Sequence, residues 1–579
     1  MSAVDATTSG QGPQFDCGQV ADHSARVDAG DGMRGIVAAG TPSRLGASVR
    51  GLSLKVRIAG LLFDLLAVLG SGLLGLLRGQ DVSYDLLSYH YSYPWTLFHG
   101  GLGSVDPEPF ANRFLNPLPE LPWYGLEQVF APKPATFVIA LVAGLNLVLL
   151  RQVADAVIAA RIQGWCRLGL SAAAVALGAS GSIFRTELGM SLADVVVSLP
   201  LLAGLIAVLR TSRSRRPRVV ALFGGLGGGV AVGAKLTMAP YVVGLFAAAA
   251  LTAWCHRRLR LIVLHAAGLA GGIALAGGAW FYDVWRTTGN PVFPYYNQIF
   301  RSRLFPPTAL RDTRFGPHGL LDALGYPLYM ARGTHRVLDV SVRDPRWLVL
   351  CLVLSATGLV LLARLRRPGL ATRQVARRTA RWVRTREAQC AVAVFFGLAS
   401  LLWLVQFGGA RYAVTSELLT GPVLVGCLLV LLRHRAVLAA GAAAAVCLVM
   451  LPWIRLGGYY HVPFTRDRFG VQAAPLRAVP AGSVVIATTT PPSGYLLTYL
   501  PRSVERHQVQ PWFYGTPLLQ SLEDRLKRTP SVYVLTGILG VRATGVRQNI
   551  DLKVIPSSCQ AIHSHPGTRY LCRAVWAGR

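Results

Sequence analysis

Charge is scarce in this chain: only 15% of its 579 residues are Asp, Glu, Lys or Arg, whereas 52% are hydrophobic and the mean hydropathy is +0.43. One water-soluble core of this length has no use for so much apolar surface, which excludes an ordinary soluble globular protein. Lipid must cover the excess. Acidic residues are scarcest, 27 against 58 basic, and Lys is almost missing, with five positions among those 58. In a soluble protein the net charge of +31 would indicate nucleic acid. Here the basic residues fall in short segments between apolar runs, so the bilayer is the expected partner and nucleic acid is not. Few Lys with abundant Ala and Gly fit a GC-rich coding sequence and a bacterial source. Residues 1–50 lack an apolar segment that could serve as a signal-peptide core, so 1–56 are expected to form a disordered cytoplasmic tail. No internal repeat is recognisable, and no motif is as diagnostic as a nucleotide-binding phosphate loop.

Eleven apolar runs are present, at 58–77, 135–151, 168–184, 190–209, 219–234, 237–254, 261–280, 347–363, 390–406, 413–432 and 435–453. They predict a mainly α, polytopic membrane module over 57–456 with about eleven transmembrane helices. Lys235 separates two of these runs, which could also be a helix pair bending within the membrane. Arg44, Arg50, Lys55 and Arg57 precede the first run and make it a signal anchor with its N-terminal side inside. Alternate connections then carry Arg151, Arg161 and Arg167, Arg210 to Arg218, Arg257 to Arg260, and nine Arg within 364–386. The loop 79–133 has two basic residues against six acidic ones and belongs outside, as do 281–346 and 457–579. The expectation is a multi-pass protein of the bacterial cytoplasmic membrane, N-terminus cytoplasmic and C-terminal domain periplasmic or extracellular.

Residues 457–579 carry fold signals of their own. Ser483 to Thr488 and Ser531 to Thr536 read as strands, Thr516-Pro517 opens a helix, and Leu518, Leu519, Leu522 and Leu526 recur at helical spacing. A small soluble α/β domain with a parallel pair is expected. Cys351, Cys427 and Cys447 fall in apolar runs, where a thiol is a small buried side chain. Cys559 and Cys572 lie in the external region, which favours a disulfide; the competing reading is zinc, through Cys559, His563, His565 and Cys572.

The first external loop is rich in Tyr, Trp and Pro, and Leu86, Tyr89, Tyr93 and Leu97 share one helical face, as suits a short helix lying in the interface. That reading does not explain Asp85 and His90 at the point where the loop leaves the membrane. A carboxylate there, Asp85 first and Asp81 second, is a candidate general base. Lys235, Arg411 and Arg185 stand beside external turns and could meet a lipid phosphate, with Arg332, His335 and Arg336 as further candidates; for each the alternative is snorkelling or a solvated loop face. Glu187 and Asp194 could position a cation or pair with Arg185.

The sequence resembles the GT-C superfamily of membrane glycosyltransferases, and within it a group of bacterial members. The resemblance is carried by Asp85, Tyr89-His90, Asn116-Pro117 and Pro122-Trp123-Tyr124, then Thr186-Glu187-Leu188-Gly189 with Asp194, and Gly233-Ala-Lys235-Leu-Thr237. It continues through Gly289-Asn-Pro-Val-Phe-Pro294 with Asn297 and Phe300, then Arg411-Tyr412 with Glu417, and the Cys559 and Cys572 pair. It covers nearly the whole chain after residue 60. One departure stands out: Ala-Val-Thr-Ser follows Arg411-Tyr412, where a Pro is expected before the Glu.

The resemblance implies an inverting sugar transfer from a polyprenyl-phosphate carrier to an envelope acceptor. It implies no obligatory cofactor and leaves a divalent metal, held by carboxylates such as Glu187, Asp194 and Glu417, open. His90 joins the catalytic set beside Asp85 and Asp81. The rival readings are a transporter or flippase of a lipid-linked sugar, which would place polar groups near mid-bilayer and often show paired halves, and an inactive glycan-binding scaffold.

Overall fold

In the computed structural model, which describes residues 44–100, 108, 110–365, 372–537 and 550–576, ten helices are long and apolar enough to cross a membrane. The long helices are α1 (Arg44–Arg78), α2 (Pro132–Val157), α3 (Gly164–Ala179), α4 (Asp194–Arg210), α5 (Pro217–Ala234), α6 (Ala239–Cys255), α7 (Arg260–Ile273), α8 (Arg346–Leu365), α9 (Glu387–Gln406), α10 (Val414–Leu431) and α11 (Ala436–Met450). With the turns that continue α7 to Thr288 and α11 to Trp453, only α3 among these, at 16 residues, falls short of spanning length.

Parity nevertheless makes α3 part of a crossing. The strand Gln80–Asp81, directly after α1, pairs antiparallel with His461–Val462, which follows α11, so those two helix ends lie on one side. An even number of crossings must separate them. Without α3 there are nine. The short helix Ser182–Glu187 prolongs α3 beyond Gly181, where a side chain would strike the Glu417 carboxyl.

Two boundaries move. Residues 1–43 of the expected tail lie outside the described residues, but from Arg44 the chain is already helical and runs without Pro into the apolar part of α1. The loop expected to begin at 281 begins instead after Thr288. There α7, carried through a π turn at Ala274–Gly278 and the helix Ala279–Thr288, ends on Gly289 in the left-handed conformation.

The Gly-rich run before Lys235 is explained by contact. Gly225 and Gly229 of α5 face the carbonyls of His265 and Leu269, while Gly268 and Gly272 of α7 face those of Leu222 and Leu226. A Cβ at any of the four would collide with backbone, so small residues let these helices touch. The helix α10 is nearly buried, with its polar residues Thr415, Ser416, Glu417 and Thr420 gathered near its start and an apolar stretch from Val423 to Leu431, as suits a central helix.

The C-terminal part forms a six-stranded sheet from β1 (Val484–Ala487), β2 (Glu505–Gln508), β3 (Val532–Thr536), β4 (Leu552–Val554), β5 (Gln560–Ile562) and β6 (Arg569–Trp576). The order is β2-β1-β3-β6-β4, with β5 also on β6; β1 is parallel to β2 and β3, and β6 runs antiparallel to its partners. Between β2 and β3 lies α12 (Pro517–Arg528), capped by Thr516, whose Oγ1 accepts from the Leu519 N–H at 3.4 Å. Leu519, Leu522 and Leu526 pack on Val484, Ile486, Val532 and Val534. Cys559 and Cys572 are joined by a disulfide across the β5–β6 hairpin, which leaves neither sulfur for zinc.

This domain sits directly on the loop 79–133. The Gln508 amide donates to the Ser88 carbonyl at 2.9 Å, the Ala111 N–H donates to Gln510 at 2.8 Å, and Leu86, Leu87, Trp123 and Tyr124 share a core with Phe469, Tyr495 and Leu496. The expected lipid-facing helix is therefore corrected: Leu86, Tyr89 and Tyr93 are buried in protein, Leu86 in the core shared with the domain and the two Tyr against Phe110 of the same loop.

Candidate active site

The site assembles where four chain breaks meet. Asp85 precedes a π-helical turn, Leu86–His90, whose five residues are all buried. Asp194 is the first residue of α4, behind Ala193 at φ +60, and its charge suits the positive end of that helix. Lys235 is the one extended residue between α5 and the 3-10 turn Leu236–Met238, so the two runs flanking it are separate helices. Arg411 lies in the 3-10 turn Ala410–Ala413 ahead of α10, held by the Tyr241 hydroxyl donating to the Tyr412 carbonyl at 2.7 Å. The unexpected Ala-Val-Thr-Ser carries this turn straight into α10. Thr415 then bonds Ser198 (2.7 Å), and Ser416 bonds Ser400 (2.9 Å).

These four side chains form one alternating array. Lys235 Nζ is 2.7 Å from Asp194 Oδ1, Arg411 Nε is 3.0 Å from Asp194 Oδ2, and Arg411 Nη1 bonds Asp85 Oδ2. Lys235 also donates to the Leu192 carbonyl at 2.8 Å. Access separates the two carboxylates: the Asp85 side chain keeps 17% exposure and Asp194 none, while Arg411 and Lys235 keep 13% and 14%. Asp85 is thus the carboxylate of the array that an incoming group can reach. Burial, the largest single influence, pushes its carboxyl up, but Arg411, His90 and Lys235 together outweigh burial and hold it below the usual carboxylate range.

A second chain of contacts fixes the loop behind Asp85. The Ser191 N–H and hydroxyl both donate to Asp81 Oδ2, at 3.0 and 2.9 Å, and the Ser83 N–H donates to Asp81 Oδ1 at 2.8 Å. Ser191 Oγ also meets His90 Nδ1 at 3.2 Å, and His90 Nε2 is 3.5 Å from Glu120 Oε1. Burial lowers His90 to about 3 and raises Glu120 to about 8, so at neutral pH this is a contact between neutral partners despite its salt-bridge geometry. Asp81, 1% exposed and bonded through both oxygens, anchors the loop, and His90 is buried with it. At 1% exposure each, neither can be reached as Asp85 can.

The other predicted residues divide clearly. The Glu417 carboxylate accepts from the Ile183 and Phe184 N–H groups at 3.0 and 2.8 Å and pairs with Arg346 at 3.4 Å, so it holds the start of the Ser182–Glu187 helix. Arg185 lies toward that Arg346, Asp344 and Glu417 cluster. Arg336 is engaged by Asp322 (2.6 Å) and the Gly316 carbonyl (2.6 Å), and Arg332 is exposed at the end of the helix Leu320–Arg332; neither joins the array. Asn116 ties the loop to the helices, donating to the carbonyls of Gly233 and Ala276 at 2.9 and 2.7 Å.

Glu187 is buried with neither oxygen hydrogen-bonded. The carboxylates that could hold a cation do not gather around one: each Asp194 oxygen already faces a cation, and Glu417 is filled by amides. Among the described residues no three His, Cys, Asp or Glu form a metal-holding group. The sequence reading missed Ser191 and Glu120, which carry no spacing signal, and the part played by Asp194 as the counter-ion that unites Lys235 with Arg411.

No protein-family model and no curated protein matches the chain. Among solved structures it is similar to ArnT from Cupriavidus metallidurans bound to undecaprenyl phosphate, at 13% identity and a TM-score of 0.38 over 89% of this chain and 97% of that one. The apo state of the same protein gives 13% identity and a TM-score of 0.37 over 92% and 99%. Overlap at this level carries no functional assignment.

Proposed function

We propose that the chain is a GT-C-type inverting glycosyltransferase that moves a sugar from a polyprenyl-phosphate carrier to a cell-envelope acceptor at the external membrane face. The observation that carries this reading is the array itself: one reachable carboxylate, Asp85, set against two cations, Arg411 and Lys235, at the head of the membrane helices. Asp85 takes the proton of the acceptor hydroxyl, whose oxygen attacks the anomeric carbon from the face opposite the phosphate. The bond between that carbon and the phosphate oxygen breaks, the configuration inverts, and Arg411 and Lys235 compensate the charge left on the lipid phosphate. Charge balance couples these steps. The array is neutral as it stands, two cations against two carboxylates; an entering phosphate competes with Asp85 for Arg411, and the Asp85 carboxylate becomes more basic as Arg411 is drawn away.

A single-turnover assay with the full chain in nanodiscs, supplied with polyprenyl-phosphate sugar and an envelope acceptor fraction, tests the reading. Sugar should appear covalently on the acceptor with inverted configuration. Transfer with retained configuration overturns the mechanism, and movement of intact lipid-linked sugar across a bilayer without cleavage returns the transporter reading.

A further inference from the structure

Beyond the transfer site, the opposite end of the molecule carries a second surface. The connection 364–386 between α8 and α9 contains nine Arg and no Asp or Glu, and most of it is a helix, Thr372–Thr385. Its described side chains sort by face. Arg377, Arg381 and Arg384 recur at helical spacing with Arg378 beside them, and all four are exposed; Thr379, Trp382 and Val383 lie on the other side and are half-buried. Position constrains what such a helix can meet. It ends two residues before α9, and its C-terminal end is pinned to the body: Arg386 meets His434 Nε2 at 3.2 Å, the Arg386 guanidinium lies 5.5 Å over the Trp382 ring, and Arg384 lies 5.9 Å over that of Trp254. It is therefore held at the membrane surface, between two spans.

We infer that the helix Thr372–Thr385 is a docking surface for the anionic phospholipid headgroups of the leaflet it borders, with Arg377, Arg378, Arg381 and Arg384 as the contacts. Charge complementarity selects this occupant. A basic face with no acidic neighbour in its segment, tethered within the headgroup layer, has lipid phosphate as its nearest counter-charge. Trp382 suits the same depth, since an aromatic ring with a polar edge prefers the interface. The inference is independent of the chemistry at Asp85.

Hydrogen exchange of the amides of 377–385 tests it, with the full chain in nanodiscs of phosphatidylcholine alone or with added phosphatidylglycerol. Phosphatidylglycerol should slow exchange by about tenfold or more at low salt, and high salt should reverse the effect. The quadruple Arg→Gln variant should exchange alike in both discs, whereas the quadruple Arg→Lys variant should keep the difference. Equal exchange of the wild type in the two discs overturns the inference, as does protection that persists in both at high salt, which would mean the helix is simply packed on the body.

Discussion

At the residue scale the mechanism turns on Asp85, because Asp81 is consumed by Ser191 and Ser83 while Asp85 keeps an open edge. Asp85→Asn keeps the shape and a hydrogen bond to Arg411 but cannot take a proton, so sugar transfer should fall roughly 10²–10⁴-fold with donor binding near wild type. Rapid-quench turnover and donor titration check both halves; wild-type transfer by the Asp85→Asn variant sinks the base. The two cations should behave differently from each other. Lys235→Ala removes one phosphate partner, and a charge-assisted contact of about 1.5–3 kcal/mol predicts a loss of roughly tenfold or more at subsaturating donor. Arg411→Ala removes the phosphate partner and also the group that holds the Asp85 carboxyl low. Burial then acts unopposed by its nearest cation, so the acid limb of the rate–pH profile should move further to higher pH in Arg411→Ala than in Lys235→Ala, because Lys235 lowers the Asp85 carboxyl less than Arg411 does. Identical profiles in the two variants would break the link between Arg411 and the base.

At the scale of elements, the neutral His90 and Glu120 pair gives the first loop a pH signature. His90 titrates near 3 in the fold against an ordinary 6.5, so its contribution is complete above about 6.5 and lost as pH falls toward 3. Glu120 titrates near 8 against an ordinary 4.5, so its contribution is complete below about 4.5 and lost as pH rises through 8. Between about 4.5 and 6.5 the two slopes cancel, and stability from this pair should be level, falling on either side. Thermal unfolding across pH should show the alkaline fall in the wild type and its removal in Glu120→Gln, which keeps a neutral partner for His90; an unchanged alkaline fall in that variant would rule the pair out as its source. None of this was legible in the sequence. Apolar runs and the spacing of Leu518 to Leu526 forecast the helices and α12, because each is a local pattern. Asp194 bridging Lys235 and Arg411, or Ser191 joining Asp81 to His90, depends on residues up to 217 positions apart meeting at helix ends, and no spacing encodes that. The burial of Leu86, Tyr89 and Tyr93 is hidden for the same reason: an amphipathic face looks alike whether lipid or protein covers it, here the distant domain over Leu86 and Phe110 over the two Tyr.

For the whole molecule, the pairing of Gln80–Asp81 with His461–Val462 and the seating of the C-terminal sheet on the first loop decide how the chain must thread the membrane. The two contacts require one side for loop 79–133 and for the domain, so α3, too short by itself, must cross together with Ser182–Glu187. Arginine distribution then sets the absolute direction. Reporter fusions after Gln163 and after Arg386 should be cytoplasmic, and fusions after Gly189 and after Arg579 external. The fusion after Gly189 is the discriminating one. A cytoplasmic signal there, with Gln163 also cytoplasmic, would make α3 a re-entrant turn, leave nine crossings between the first loop and the domain, and put them on opposite sides of the bilayer. The domain and the loop that carries Asp85 could not then pack on each other, and Gln508 and Gln510 would lose the Ser88 carbonyl and Ala111 N–H they meet.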